Sequence, residues 1–123
     1  MTTRQSHKRR GKSFEIDFTA WLRSQGYDAE RLALAGANDE GDIVVRHGSG
    51  KGTIYDIIEC KAPGAGNAID LSGWLKEADT EAANFAKARG INPDLVNPVV
   101  VIKARGKSLD QAYIVSRAHR EYR

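Results

Sequence analysis

Gly41-Asp42-Ile43-Val44-Val45 opens one apolar run, and seventeen positions after its aspartate Glu59-Cys60-Lys61 closes a second, Ile57-Ile58. Two short, β-branched runs joined by Gly48-Ser49-Gly50-Lys51-Gly52 read as a strand pair, over Asp42 to His47 and Thr53 to Ala62. In a strand, residues two apart share a face, so Glu59 and Lys61 point together into one cleft while Cys60 turns away. Two carboxylates beside one ammonium suit phosphodiester hydrolysis, which needs a divalent cation on the scissile phosphate and a water delivered in line.

Outward from this pair, Phe14, Phe18, Trp21 and Leu22 form one stripe of a helix over Ser13 to Gln25, with Ser13 as N-cap and Gly26 as stop. Tyr27 to Leu34 is a weaker strand candidate, and a polar loop follows from Ala35 to Gly41. Pro63-Gly64-Ala65-Gly66 ends the second strong strand. From about Ile69 to Arg89, Leu71, Trp74, Leu75, Ala78, Ala82, Phe85 and Ala86 recur at helical spacing, with Gly90 as the stop. This narrow, alanine-rich face lets a long helix lie close on a sheet. Val99-Val100-Val101-Ile102 predicts a central strand over Pro98 to Ala104. A further strand over Gln111 to Val115 and a short basic helix over Ser116 to Arg123 complete the chain. The order α-β-β-β-α-β-β predicts an α/β fold, a mixed central sheet flanked by helices.

At 123 residues the chain holds one core, and 41% hydrophobic with 7% aromatic residues describes an ordinary globule. No apolar stretch is long enough to span a bilayer, and the basic N-terminus has neither the apolar core nor the cleavage site of a signal peptide. A lone cysteine, Cys60, points to a reducing, cytoplasmic compartment and excludes an internal disulfide or a zinc cage. His7, His47 and His119 are too scattered to bind zinc.

Charge is distributed unevenly. Arg4, Lys8, Arg9, Arg10 and Lys12 give residues 1–12 five positive charges and no acid, while the whole chain nets only +3. We read 1–12 as a flexible basic arm and 13–123 as the single domain. Lys103, Arg105, Lys107, Arg117, Arg120 and Arg123 make a second basic cluster. Both ends suit a polyanion, with salt-dependent binding through released counterions. The alternative for the arm is a solubilising tail.

The stretch Gly48 to Thr53 imitates a phosphate-binding loop, but Val45 stands where the first glycine is required and Gly52 where a hydroxyl residue should follow the lysine. It also joins strand to strand, whereas a nucleotide-cradling loop leads into a helix N-terminus. We read it as a hairpin tip whose Lys51 is placed to touch DNA.

Arg10-Gly11 with Glu15 four positions beyond the glycine, Gly26-Tyr27, Gly41-Asp42-Ile43 and Ile58-Glu59-Cys60-Lys61 together make the chain resemble the PD-(D/E)XK nuclease superfamily, and within it the archaeal and phage Holliday junction resolvases. The resemblance runs from Arg10 to Ile102 and implies a restriction-endonuclease-like αβββαβ core. It implies that Asp42, Glu59 and the Cys60 backbone carbonyl ligate Mg²⁺ or Mn²⁺. Lys61 would orient or deprotonate the attacking water and stabilise charge on the phosphate. Glu15 would complete the acidic cluster or hold a second water of the metal. Without metal, the carboxylates should titrate above their usual range.

The implied partner is branched DNA, a four-way junction or flap, and no membrane. Cutting opposed strands of a junction calls for a twofold homodimer. The loop Ala35-Gly36-Ala37-Asn38 lacks the serine and basic residues that archaeal junction resolvases tend to carry, so a flap or fork nuclease acting as a monomer stays open. So do a general repair or restriction nuclease and a non-catalytic DNA-binding protein. Each residue also has a plainer reading: Glu59 and Lys61 as a surface ion pair, Asp42 as a turn residue, and Glu15 as an acid favouring the helix dipole in its first turn. Asp39 and Glu40 are assigned to solvent, Cys60 to the core, and Trp21 and Trp74 to core packing.

Overall fold

The computed structural model describes residues 3–32 and 39–122, the first eight of these as backbone only. The elements run α1 (Thr3–Ser24), β1 (Asp28–Arg31), β2 (Ile43–His47), β3 (Ile54–Lys61), α2 (Leu71–Arg89), β4 (Val96–Ile102), β5 (Tyr113–Val115) and α3 (Ala118–Glu121), with short 3-10 turns between some of them. The five strands form one sheet in the order β1-β2-β3-β4-β5. Among the described strands only β3 and β4 are parallel, because α2 carries the chain back across the sheet between them; the other pairs are antiparallel.

Strand alternation distributes the helices. Ile43, Val45, Ile58, Cys60, Val99 and Val101 face Phe14, Phe18 and Leu22 of α1. Their neighbours Val44, Ile57, Val96, Val100 and Ile102 face Ala78, Ala82, Phe85 and Ala86 of α2. One helix therefore covers each face, and β4, buried on both, is the β-branched run. The α/β class, the mixed sheet and its flanking helices are those expected from the sequence.

The differences lie at element ends. Helix α1 begins at Thr3, ten residues before the expected start, so Ser13 lies inside the helix and caps nothing. The segment read as an arm is helical from residue 3: its Gln, Lys and Arg are good helix formers, it has no proline, and one interior glycine is tolerated. Gly26 stops α1 as expected, with φ +91°. Its N–H donates to the Arg23 carbonyl and that of Tyr27 to the Leu22 carbonyl, the paired bonds of a Schellman turn.

Helix α2 starts two residues late, after Asp70, whose carboxylate accepts the Gly73 N–H at 3.0 Å. Strand β4 starts two residues early and includes Pro98. Because β5 pairs only with Val100 to Ile102, β4 at Pro98 has a neighbour on one side, where a residue without an N–H is tolerated. The expected strand over Tyr27 to Leu34 is realised as β1, and most of the polar loop, including Ala35 to Asn38, lies outside the described residues. Among the described residues no helix is long and apolar enough to cross a membrane.

Candidate metal centre

The site is built at the point where β2 and β3 part. Ile43 opposite Ile58 is their last paired position there, and beyond it Gly41 turns the chain with φ +96°. A Cβ on Gly41 would lie 2.7 Å from Ile57 Cγ2, so both conformation and space demand glycine. The turn delivers Asp42 against β3. Its N–H donates to the Ile58 carbonyl at 2.9 Å and its own carbonyl accepts from Leu32 N–H at 2.8 Å. Its Oδ2 accepts the Cys60 N–H at 2.7 Å. Past the end of β2 this amide has no partner in that strand, and the aspartate supplies one.

Glu59 and Lys61 leave β3 on the α2 face. The Lys61 ammonium lies 3.4 Å from Glu59 Oε1 and 3.0 Å from Glu77 Oε2 of α2, and 5.7 Å above the Trp74 ring. Glu15 approaches from α1, holding Arg31 at 3.2 Å. It sits in the fourth turn of that helix rather than the first, which removes the helix-dipole reading. Glu15, Asp42, Glu59, Cys60 and Lys61 line one open cleft of about 770 Å³, together with Gly11, Asp39 and Trp74. Asp39 is thus not a bystander: its carboxylate accepts the Gly41 N–H at 2.9 Å and braces the turn. Glu40 is not free in solvent either, being paired with Arg89.

Burial and crowding set the protonation of the cleft. Burial, then Glu59 and to a lesser degree Glu15, raise Asp42 to about 7 against the opposing Cys60 N–H. Glu59 is raised by burial, although a hydrogen bond from the Glu81 carboxyl and then Lys61 pull the other way. Burial works against the Lys61 charge, but Glu77 and Glu59 more than restore it and hold the ammonium above its ordinary value. The Cys60 thiol is pushed up by burial and by Asp42, so it stays protonated in the α1 core and is no nucleophile.

These groups fit a hard divalent cation. Asp42, Glu59 and the Cys60 carbonyl are all oxygen donors, as Mg²⁺ and Mn²⁺ prefer, and Glu59 Oε2 is buried with no hydrogen-bond donor beyond the neighbouring Glu81 carboxyl.

Sequence reasoning missed the acids of α2. Glu81 is only 2% exposed, and one oxygen each from Glu59, Glu77 and Glu81 lie within 4.8 Å of one another, a set that does not include Asp42. Burial and the neighbouring Glu59 raise the Glu81 carboxyl strongly. A signal was present: Glu81 falls between Ala78 and Phe85 at three- and four-residue spacing, on the apolar stripe where an acid has no business without a task. Of the remaining candidates, Lys51 and Lys12 do not line the cleft. Lys51 lies exposed on the Gly50–Gly52 turn, Lys12 is exposed on α1, and the side chains of Arg4, Lys8, Arg9 and Arg10 are outside the described set. Lys103 and Arg105, however, line a smaller hollow of about 280 Å³ that shares Ala62 and Pro63 with the cleft.

No protein-family model matches this chain, and no curated protein matches it in sequence. A solved structure does: Hjc, a Holliday junction resolvase from the archaeal hyperthermophile Archaeoglobus fulgidus, is similar with a TM-score of 0.54. The match has 23% identity and covers 86% of this chain and 76% of that one. At that identity the likeness is one of fold, and it makes the five-stranded mixed sheet with its flanking helices restriction-endonuclease-like.

Proposed function

We propose that this chain is a Mg²⁺- or Mn²⁺-dependent endonuclease of the PD-(D/E)XK type that hydrolyses phosphodiester bonds in branched DNA, in the manner of a junction resolvase. The observation that carries the reading is that Glu15, Asp42, Glu59 and Lys61, drawn from a helix and two strands, line one cleft. A surface ion pair would not explain it, since Glu59 is 8% exposed and Lys61 is largely covered.

In this reading Asp42, Glu59 and the Cys60 carbonyl hold the cation, which supplies Lewis-acid polarisation of the phosphate when bound. Asp42 is fixed for that work by the Cys60 amide. Lys61 carries a positive charge at neutral pH and has two carboxylates to leave. Its ammonium can donate to a phosphate oxygen as negative charge grows there, or hold the water that forms the new P–O bond as the old one breaks. Glu15, tethered by Arg31, orients a second water at the cleft wall. Lys103 and Arg105 continue the cleft as a track for the strand, and Arg4, Lys8, Arg9, Arg10, Lys12 and Lys51 add phosphate contacts further out.

The test is a cleavage panel of four-way junction, flap, fork, duplex and single strand with Mg²⁺ or Mn²⁺. Paired symmetric nicks in the junction are expected, and they require two sites in a twofold dimer. Asp42→Asn and Glu59→Gln should each cut at least roughly 100-fold more slowly while still binding junction DNA in Ca²⁺. Cuts confined to flaps and forks would favour the monomeric branch nuclease, and unchanged cutting by both variants would reject the site.

A further inference from the structure

Glu81 is a buried acid that the nuclease reading leaves without a task. It projects from α2 beside Ala78, Ala82 and Phe85, and among the described residues its oxygens meet no donor from outside the acidic cluster, their one side-chain hydrogen bond being to Glu59. Glu59 Oε2 is in the same condition. An acid so enclosed, hydrogen-bonded only to another acid and with no ion pair to a described cation, lacks the compensation that a buried carboxylate normally requires.

Glu77 reaches the same point from the exposed rim, one helical turn before Glu81. One oxygen from each of Glu59, Glu77 and Glu81 lies within 4.8 Å of the others. Oxygens held about 2.1–2.5 Å from one ion are themselves no more than about 5 Å apart, so the three can share a cation with little movement. The donors are hard oxygens alone, without thiolate or imidazole, which selects Mg²⁺, Mn²⁺ or Ca²⁺ over zinc or copper.

We propose that Glu59, Glu77 and Glu81 form a second divalent-cation site, separate from the Asp42, Glu59 and Cys60 donors and joined to them through Glu59. Lys61 stands in for that cation on two of the three acids, at 3.4 Å from Glu59 and 3.0 Å from Glu77. An ion seated among the three carboxylates takes over both partners and frees the ammonium toward the cleft. The inference goes beyond the nuclease reading, because it requires cation binding and no cleavage.

The test uses the full chain without DNA, titrated with MnCl2 by calorimetry and by the loss of free Mn²⁺ signal in electron paramagnetic resonance. The wild-type chain should bind two ions. Glu81→Gln, close in shape and checked for folding by circular dichroism, should bind one, with affinity at the lost position down at least about 10-fold. Glu77→Gln, at an exposed position where folding is not at stake, should weaken the same ion. Two ions bound with wild-type affinity by both variants overturn the proposal, as does a wild-type stoichiometry of one. Asp42→Asn separates the two readings: losing the other ion supports the metal ligands assigned to the nuclease, while retaining both counts against those ligands and leaves the Glu81 site standing.

Discussion

Cys60 and Glu59 are consecutive residues of one strand, yet they belong to opposite faces of the sheet. Cys60 lies among Phe14, Phe18, Ile58 and Val101 under α1, where the buried residues are apolar apart from Thr19. Glu59 lies under α2, where the layer is apolar at the Val44, Ile57, Phe85 and Val96 end and turns acidic at Glu59, Glu77 and Glu81. A pleated strand can thus hold a dry core on one side and a reactive rim on the other, separated only by its backbone. Both faces carry a buried apolar layer, and the acidic rim is maintained at one end of the layer under α2.

The largest effect that tests this contrast comes from the α1 face. Phe14 is 2% exposed and packs on Phe18 with ring centroids 5.6 Å apart. Phe14→Ala should lower the unfolding free energy by about 3–5 kcal/mol, measured by urea denaturation. A loss below roughly 1 kcal/mol would mean that the α1 layer contributes little to holding the fold.

An intermediate effect is expected at Gly41, where the two regions meet. Gly41→Ala places a methyl 2.7 Å from Ile57 Cγ2 and at a φ of +96° that L residues avoid. The expected cost is about 1–3 kcal/mol of stability, with a fall in cleavage larger than the stability loss explains, because the turn aims Asp42. Wild-type values of both would show that the turn is free to rearrange.

What could be read beforehand follows the same division. Strand alternation is a period of two, so Glu59, Cys60 and Lys61 sort themselves between faces without knowledge of the fold. Gly41-Asp42 was legible as a junction because a glycine precedes an aspartate at the start of an apolar run. Glu81 escaped because the stripe on α2 is mostly alanine, which marks the buried face only weakly, and an acid among charged neighbours reads as solvated. The start of α1 escaped because a run of Lys and Arg signals a polyanion partner by its charge and a helix by its propensity, and only the first was used. Asp39 escaped because its role is a hydrogen bond to the backbone two residues on, which neither periodicity nor charge reveals.

The smallest effect is the sharpest, since it concerns one proton. Asp42 is raised from 3.8 to about 7, first by burial and then by Glu59. Between those values the folded chain holds a proton that the unfolded chain has released, so rising pH favours unfolding across that window and no further above it. In EDTA the Tm should therefore fall from pH 5 to pH 8, and more steeply in the wild type than in Asp42→Asn. Glu81 adds a slope of the same sign, but it stays protonated through this window in both proteins and cancels in the difference. With Mg²⁺ present the sign reverses: the cation needs the ionised carboxylate, so its stabilisation of the wild type should grow as pH rises to about 7 and then level off. Equal pH slopes for wild type and Asp42→Asn in EDTA would show that Asp42 is ionised from the outset, and the contrast between a dry face and a strained acidic rim would then rest on the acids of α2 alone.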